Sequence, residues 1–293
     1  MSIYEGVYKL MVSLPSAEGE IHEPIKAAIR SIRTPNLQVI LSYPPKVGGT
    51  FMRTALIHLL GKHYQAGLSR GSYANSDHAR DPYFPLVLNQ HLVQGARPTA
   101  SVMHLHMYPN RHVTDILETF AIPVVVASRN IFDSLVSLMD MHEKAEAEGR
   151  RMDDALLHSG RSYYDMSPEE RRHSLVHIAP LWYARFYGQW LGHHQSRQAE
   201  GQDAPLWLHY EQLRTDPRSV LAAIAAHVDP DHAYTTDELD AALAWSLTDK
   251  ERVRLNKGVS GRGEAFFTTA EKDAIRAILA PAGEEALSAL GVL

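Results

Sequence analysis

Residues 37–61 read LQVILSYPPKVGGTFMRTALIHLLG, and the fold follows from that order. Leu37 to Tyr43 is a short apolar run rich in β-favouring side chains. It is preceded by Thr34-Pro35-Asn36 and followed by Pro44-Pro45, which bounds it as a buried strand. The loop PPKVGG comes next. From Thr50 to Leu60 the apolar residues Phe51, Ala55, Leu56, Leu59 and Leu60 recur at helical spacing, and Gly61 is a stop signal. Strand, glycine loop and helix in this order open a βαβ unit. The loop is suited to an anion: a glycine turn lets backbone N–H groups close around it, and the helix N-terminus adds the positive end of its dipole. Lys46 adds a point charge and Thr50 a hydroxyl. The order G-x-x-x-x-G-K-[ST] of the common nucleoside-triphosphate loop is absent, because Lys46 precedes Gly48 and Gly49.

Further elements extend the pattern. Ser101 to His106 and Pro123 to Ser128 read as strands, separated by an amphipathic stretch from Val113 to Phe120. The continuous PVVVA run predicts a central parallel strand covered on both faces. A helix is predicted from near Asn130, a longer one over Arg171–His193, a strand over Pro205–Tyr210, and a helix after it. The alternation predicts an α/β fold: one domain over residues 1–293, with a central, mostly parallel sheet flanked by helices and a phosphate-type strand–loop–helix. Residues 1–36 form an N-terminal segment. Gly67–Pro98, rich in Gly, Ser, Asn, Asp and Pro, is expected to be a long surface connection. Segments 67–98 and 139–180 are candidate lids over an acceptor site. Glu143–Arg151 is read as a solvated charge run.

Composition narrows the classes. Hydrophobic residues at 45% and charged residues at 22% are those of an ordinary globular chain. Lys and Arg number 29 against 34 Asp and Glu, a net charge of −5, which opposes a general nucleic-acid binder. With no cysteine, disulfides, Cys-based metal sites and thiol nucleophiles are excluded. No apolar run approaches the roughly 18 residues of a membrane span. The N-terminus lacks signal-peptide character, so the expected location is the cytoplasm.

A second motif is Ser128-Arg129-Asn130-Ile131-Phe132-Asp133-Ser134-Leu135-Val136-Ser137. Arg129 sits where a buried strand ends, the ligand-facing edge of an open α/β sheet. Here the chain resembles the sulfotransferases that use 3′-phosphoadenosine 5′-phosphosulfate (PAPS). Their 5′-phosphosulfate loop, Y-P-K-S-G-T-T-W, is similar to Tyr43–Phe51. Their R-N-x-x-D-x-x-x-S is matched by Arg129, Asn130, Asp133 and Ser137. Their R-K-G-x-x-G followed by F-T is similar to Asn256-Lys257-Gly258-Val259-Ser260-Gly261 and Phe267-Thr268. Their Y-E-D-x-x-x-x-P is echoed by Tyr210-Glu211-Gln212 and Pro217. Four motifs in order span Tyr43 to Thr268. The chain departs from the pattern with an extra Pro45, Val47 for serine, Gly49 for threonine, Phe51 for tryptophan and Asn256 for arginine.

The resemblance implies transfer of a sulfuryl group from PAPS to a hydroxyl or amine of a small organic acceptor, releasing adenosine 3′,5′-bisphosphate (PAP), with no metal. It implies that Lys46 stabilises the leaving oxygen and that Lys46, Val47, Gly48, Gly49 and Thr50 form the 5′-phosphate loop. Arg129 and Ser137 would hold the 3′-phosphate with Asn256, Lys257 and Gly258, Ser137 also standing in the catalytic set. Phe51 and Tyr210 would line the adenine pocket. The family's histidine at the end of a K-T-H-x-P strand is similar to His106 in His104-Leu105-His106-Met107-Tyr108-Pro109, with His104 in the lysine position. On a strand the two histidines share a face. His106 is preferred as the base, and imidazole suits that task near neutral pH. The His-x-His pair and His193-His194 lack a third ligand at metal spacing. The aromatics Trp182, Tyr183, Phe186 and Tyr187 read first as core and second as an acceptor wall. Two other classes stay open: a small-molecule kinase using ATP and Mg²⁺, and a nucleotide-binding protein without catalysis. Oligomeric state is not readable.

Overall fold

The apolar run after Asn36 is a strand in the computed structural model of the chain, which describes residues 37–68, 99–119, 121–152, 157, 161–248 and 261–292. In chain order the elements are β1 (Leu37–Ser42), α1 (Gly49–Leu60), β2 (Gln65–Leu68), β3 (Thr99–Leu105), α2 (Arg111–Thr119), β4 (Val124–Ser128) and α3 (Ile131–Ala147). They continue with α4 (Pro168–His173), α5 (Ala179–Ala199), β5 (Leu206–His209), α6 (Tyr210–Thr215), α7 (Pro217–Val228) and α8 (Thr236–Leu247). The last are α9 (Arg262–Phe266), α10 (Thr269–Leu279) and α11 (Glu284–Ala289).

The five described strands form one parallel sheet in the order β2-β3-β1-β4-β5. Its centre is apolar on both faces, as the continuous hydrophobic runs require. Ile40, Met103, Val124 and Val126 point into one core with α3 and α5 residues such as Leu135, Tyr183 and Phe186. Val39, Leu41, Val102 and Val125 point into the other, with Leu56 of α1, Leu221 of α7 and Leu243 of α8. The chain leaves β1 towards one side of the sheet, to β2, and leaves β4 towards the other, to β5. The crevice between the C-terminal ends of β1 and β4 is therefore the topological switch point, where open α/β sheets bind ligands.

Three expectations are corrected. Gly67 and Leu68 are not loop: they complete β2, which pairs with β3 (Gly67 opposite Ser101). The helix expected over Arg171–His193 is α4, a π turn over Ser174–Ile178, and α5 running on to Ala199. Pro180 accounts for the break, since it has no N–H to bond Val176 and its ring crowds that carbonyl. Tyr210 does not end the last strand but begins α6.

In the described part of segment 139–180, α3 continues to Ala147. Arg171 pairs both guanidinium nitrogens with Glu146 at 2.6 and 2.8 Å, and Leu157, Tyr163 and Tyr164 are core residues. Residues 1–36, the rest of the 67–98 connection, and Asn256, Lys257 and Gly258 lie outside the described residues. Among the described residues no helix is long and apolar enough to cross a membrane.

Candidate active site

The loop from Tyr43 to Gly48 turns the chain from β1 into α1. Lys46 has φ +71° and Gly48 φ +81°. The left-handed region costs a side-chain-bearing residue about 1–2 kcal/mol, so Lys46 must be held there by its surroundings. They do hold it: Arg129 Nη1 donates to the Lys46 carbonyl at 2.6 Å, Tyr183 donates to the Pro45 carbonyl at 3.2 Å, and Val47 is buried. Gly48 is the N-cap of α1 and brings no side-chain cap. The first N–H groups of this helix therefore face the loop without an internal acceptor, which is the arrangement that binds anions. Gly48 also lies under α6, since a Cβ there would meet Leu213 at 2.7 Å and Tyr210 at 3.3 Å.

Arg129 leaves β4 beside this loop. Its guanidinium is buried, lies 4.2 Å over the Tyr210 ring, and among the described residues keeps Nε without a hydrogen-bond partner. The Tyr43 hydroxyl, also buried, has none either. Buried unpaired donors beside an uncapped helix start fit an anionic ligand.

The N-terminus of α3, by contrast, is occupied. Asn130 accepts from Asp133 N at 3.2 Å and donates to Gly291 O at 3.2 Å, while Ile131 N donates to Leu290 O at 2.9 Å. Asp133, buried on the first turn, accepts from Gly261 N at 2.7 Å and Gly263 N at 2.8 Å. A Cβ on Gly263 would meet the Phe132 carbonyl carbon at 2.2 Å, so only glycine lets α9 approach α3 this closely. Arg262 adds a two-pronged pair with Asp140 at 2.6 and 3.1 Å. Asp133 is thus the post on which the segment after Lys257-Gly258 is fastened. Ser137 is buried further along α3.

The two histidines meet the loop from β3. The register places His104 opposite Leu41, and its ring packs against the backbone of Gly49, where a Cβ would lie 2.3 Å from Nε2. The His104 ring is edge-on to Tyr43 (centroids 5.9 Å) and to His106 (5.3 Å). His106 follows the end of β3, and its Nδ1 lies against the Tyr43 carbonyl oxygen. A carbonyl only accepts, so Nδ1 carries the proton and Nε2 is the basic nitrogen of the neutral ring. Trp182 stands 6.3 Å from His106 and 5.7 Å from Tyr108.

The expected aromatic stripe divides. Tyr183, Phe186 and Tyr187 are fully buried. Tyr183 and Tyr187 donate to the carbonyls of Pro45 and Ala127, and Trp190 to that of Met107, so α5 braces the strand ends. Trp182 alone of the four is only half-buried, its ring edge-on to His106.

Of the residues expected from sequence, Lys46, Val47, Gly48, Gly49, Thr50, Arg129, Tyr210 and the two histidines surround one loop. Phe51 is half-buried against the core behind it. Missed were Asp133 as an anchor, Gly263, Tyr108 and the packing of His104 on Gly49. The acidic residue of R-N-x-x-D on a first helical turn was a signal for Asp133. The contacts of the other three join residues far apart in the chain. Among the described residues no three His, Asp or Glu side chains converge as a metal site.

A parallel α/β sheet with a strand–loop–helix and an uncapped helix start at its switch point is the class this architecture defines. No family model matches the chain, and no curated protein does. Solved structures do. The mouse sulfotransferase SULT7A1, complexed with PAP, aligns with a TM-score of 0.56 over 92% of this chain and 92% of its own, at 14% identity. A sulfotransferase from Alicyclobacillus acidocaldarius covers 89% of this chain and 97% of its own at 14% identity, with a TM-score of 0.43. The protein has the sulfotransferase fold.

Proposed function

We propose that the protein is a PAPS-dependent sulfotransferase acting on a hydroxyl of a small organic acceptor. The observation that carries this reading is the uncapped start of α1 at the switch point, framed by Lys46, Arg129 and the two histidines. In the proposed reaction the acceptor hydroxyl gives its proton to Nε2 of His106. The bond from acceptor oxygen to sulfur forms as the bond from sulfur to the bridging phosphate oxygen breaks. Lys46 neutralises the charge left on that oxygen. The products are the acceptor's sulfate ester and PAP, and His106 releases its proton to water. As in phosphoryl transfer, the protein's contribution is positioning and charge neutralisation, with positive groups already in place.

In this reading Gly48, Gly49 and Thr50 hold the 5′-phosphate by their N–H groups, with buried Val47 fixing the loop. Arg129 and Ser137 hold the 3′-phosphate together with Lys257 and Gly258, and Asn256 stands where the resembling motif has arginine. Asp133 supports that set by holding Gly261, four residues after Lys257 in the chain. Phe51 and Tyr210 flank the adenine. The reading needs no metal ion and no nucleic-acid partner, and it places the enzyme in the cytoplasm. Calorimetric titration tests it. PAP without metal is expected to bind at micromolar or tighter affinity, more tightly than ATP with Mg²⁺. Preference for ATP with Mg²⁺ would replace this reading with the kinase, and binding of neither would end both.

A further inference from the structure

We infer that Glu211 is a positioning residue for the donor nucleotide: from α6 it fixes Arg129, the arginine assigned above to the 3′-phosphate. This deepens the sulfotransferase reading and rests on it. β4 and β5 pair in parallel register up to Ser128 opposite His209, an offset of 81 residues. The offset persists after both strands end. Ser128 Oγ and His209 Nδ1 share a hydrogen bond of 2.9 Å, the Arg129 guanidinium lies 4.2 Å over the Tyr210 ring, and Asn130 N donates to Glu211 Oε1 at 3.2 Å. Three successive residues after β4 are thus gripped by three successive residues after β5. The clamp is itself seated, with Leu213 and Tyr210 against Gly48.

The contacts act on different parts of Arg129. The Asn130 N–H and the Arg129 carbonyl belong to one planar peptide unit, so Glu211 fixes the backbone that follows the Arg129 Cα. Tyr210 holds the guanidinium from its face, and the Lys46 carbonyl accepts from Nη1 at 2.6 Å. Among the described residues Nε has no partner, which leaves it for a ligand. The sign of the effect separates positioning from charge. Glu211 places a negative charge beside a site for anions, so on charge alone its removal would strengthen nucleotide binding. Loss of positioning weakens it instead.

The test uses Glu211→Ala, Glu211→Gln and Arg129→Ala in the full chain. Glu211 is exposed, so thermal melts of its variants are expected to match wild type. One readout is calorimetric titration with PAP and with adenosine 5′-monophosphate, which lacks the 3′-phosphate. The other is hydrogen exchange of the Arg129 Nε–H, followed by NMR in the nucleotide-free protein. Wild type is expected to prefer PAP. Glu211→Ala is expected to cut that preference about fivefold, the worth of one hydrogen bond, with monophosphate affinity unchanged and Nε–H exchange faster by a similar factor. Glu211→Gln keeps a side-chain oxygen for the Asn130 N–H and is expected to retain both wild-type values. In an Arg129→Ala background, Glu211→Ala is expected to leave nucleotide binding unchanged. Unaltered Nε–H exchange in Glu211→Ala, tighter PAP binding, or an equal loss of monophosphate binding overturns the inference. A wild type that does not prefer PAP refutes the donor assignment instead, and the exchange measurement, which needs no nucleotide, still decides whether Glu211 fixes Arg129.

Discussion

Replacing Gly49 by alanine puts a methyl group where the His104 ring now stands. The new Cβ would lie 2.3 Å from Nε2, 2.5 Å from Cε1 and 3.0 Å from Tyr43 Cδ2. Ordinary carbon contacts begin near 3.5 Å, so the imidazole must move by about 1 Å or more. It has little room: Tyr43 is 1% exposed and edge-on to one side, and His106 is edge-on as well. Overpacking of this kind costs about 1–3 kcal/mol. Against it stands a gain of up to about 1 kcal/mol from alanine over glycine in a helix, available because Gly49 is not in the left-handed region. Gly49→Ala alone is therefore expected to destabilise by about 0–2 kcal/mol and to weaken PAP binding, because the displaced ring borders the anion loop. In a His104→Ala background the same change should be neutral or stabilising. The assay is a double-mutant cycle of urea unfolding with PAP titrations on all four proteins. A coupling of about 1–3 kcal/mol is expected. Additivity within about 0.5 kcal/mol would refute the claim that His104 and Gly49 compete for one space.

In a sulfuryl-transfer assay, Lys46→Ala and His106→Ala should each lower turnover by about 10²–10⁴-fold with melts unchanged; near-normal rates in His106→Ala beside a collapse in His104→Ala would move the base assignment. Asp133→Asn removes one of two buried acceptors for Gly261 and Gly263, and unfolding is expected to show a loss of about 1–3 kcal/mol together with weaker PAP binding. An unchanged midpoint there would remove Asp133 as an anchor. Arg172 bonds Glu271 at 2.6 and 2.7 Å and holds its carboxyl down to about 2. A depressed carboxyl contributes stability above its unfolded value near 4.5 and loses it as pH falls towards 2. Glu271→Gln should therefore destabilise by about 1–2 kcal/mol at neutral pH, the gap closing below pH 3; a gap that stays constant with pH would count against the pair.

The local parts of this protein were legible because their causes are local. β1, its glycine loop and α1 follow from an apolar run, two prolines, two glycines and a helical period within 25 residues. The VVVA run marked the covered central strand, and Asn130 marked a helix start. β2 was not legible: Gln65–Leu68 has no alternation of its own and is a strand because β3, more than thirty residues on, supplies its hydrogen bonds. The π turn before α5 follows from Pro180, a local cause that the helical period of the aromatic stripe concealed. That stripe also looked uniform in sequence. Only packing separates Tyr183 and Tyr187, which brace strand-end carbonyls, from Trp182, which faces His106.

By itself the sequence determined the class of fold and the strand–glycine loop–helix at its head, since short-range periodicity and turn chemistry act over a few residues. Tertiary structure alone decided which residues meet at that loop. Parallel pairing of β3 beside β1 brings His104 onto Gly49, and pairing of β4 on the other side brings Arg129 to the Lys46 carbonyl. Those contacts span 55 and 83 residues of chain. Nothing at either end encodes them separately; they exist because one sheet must cover both of its apolar faces, and that requirement places the strand ends side by side.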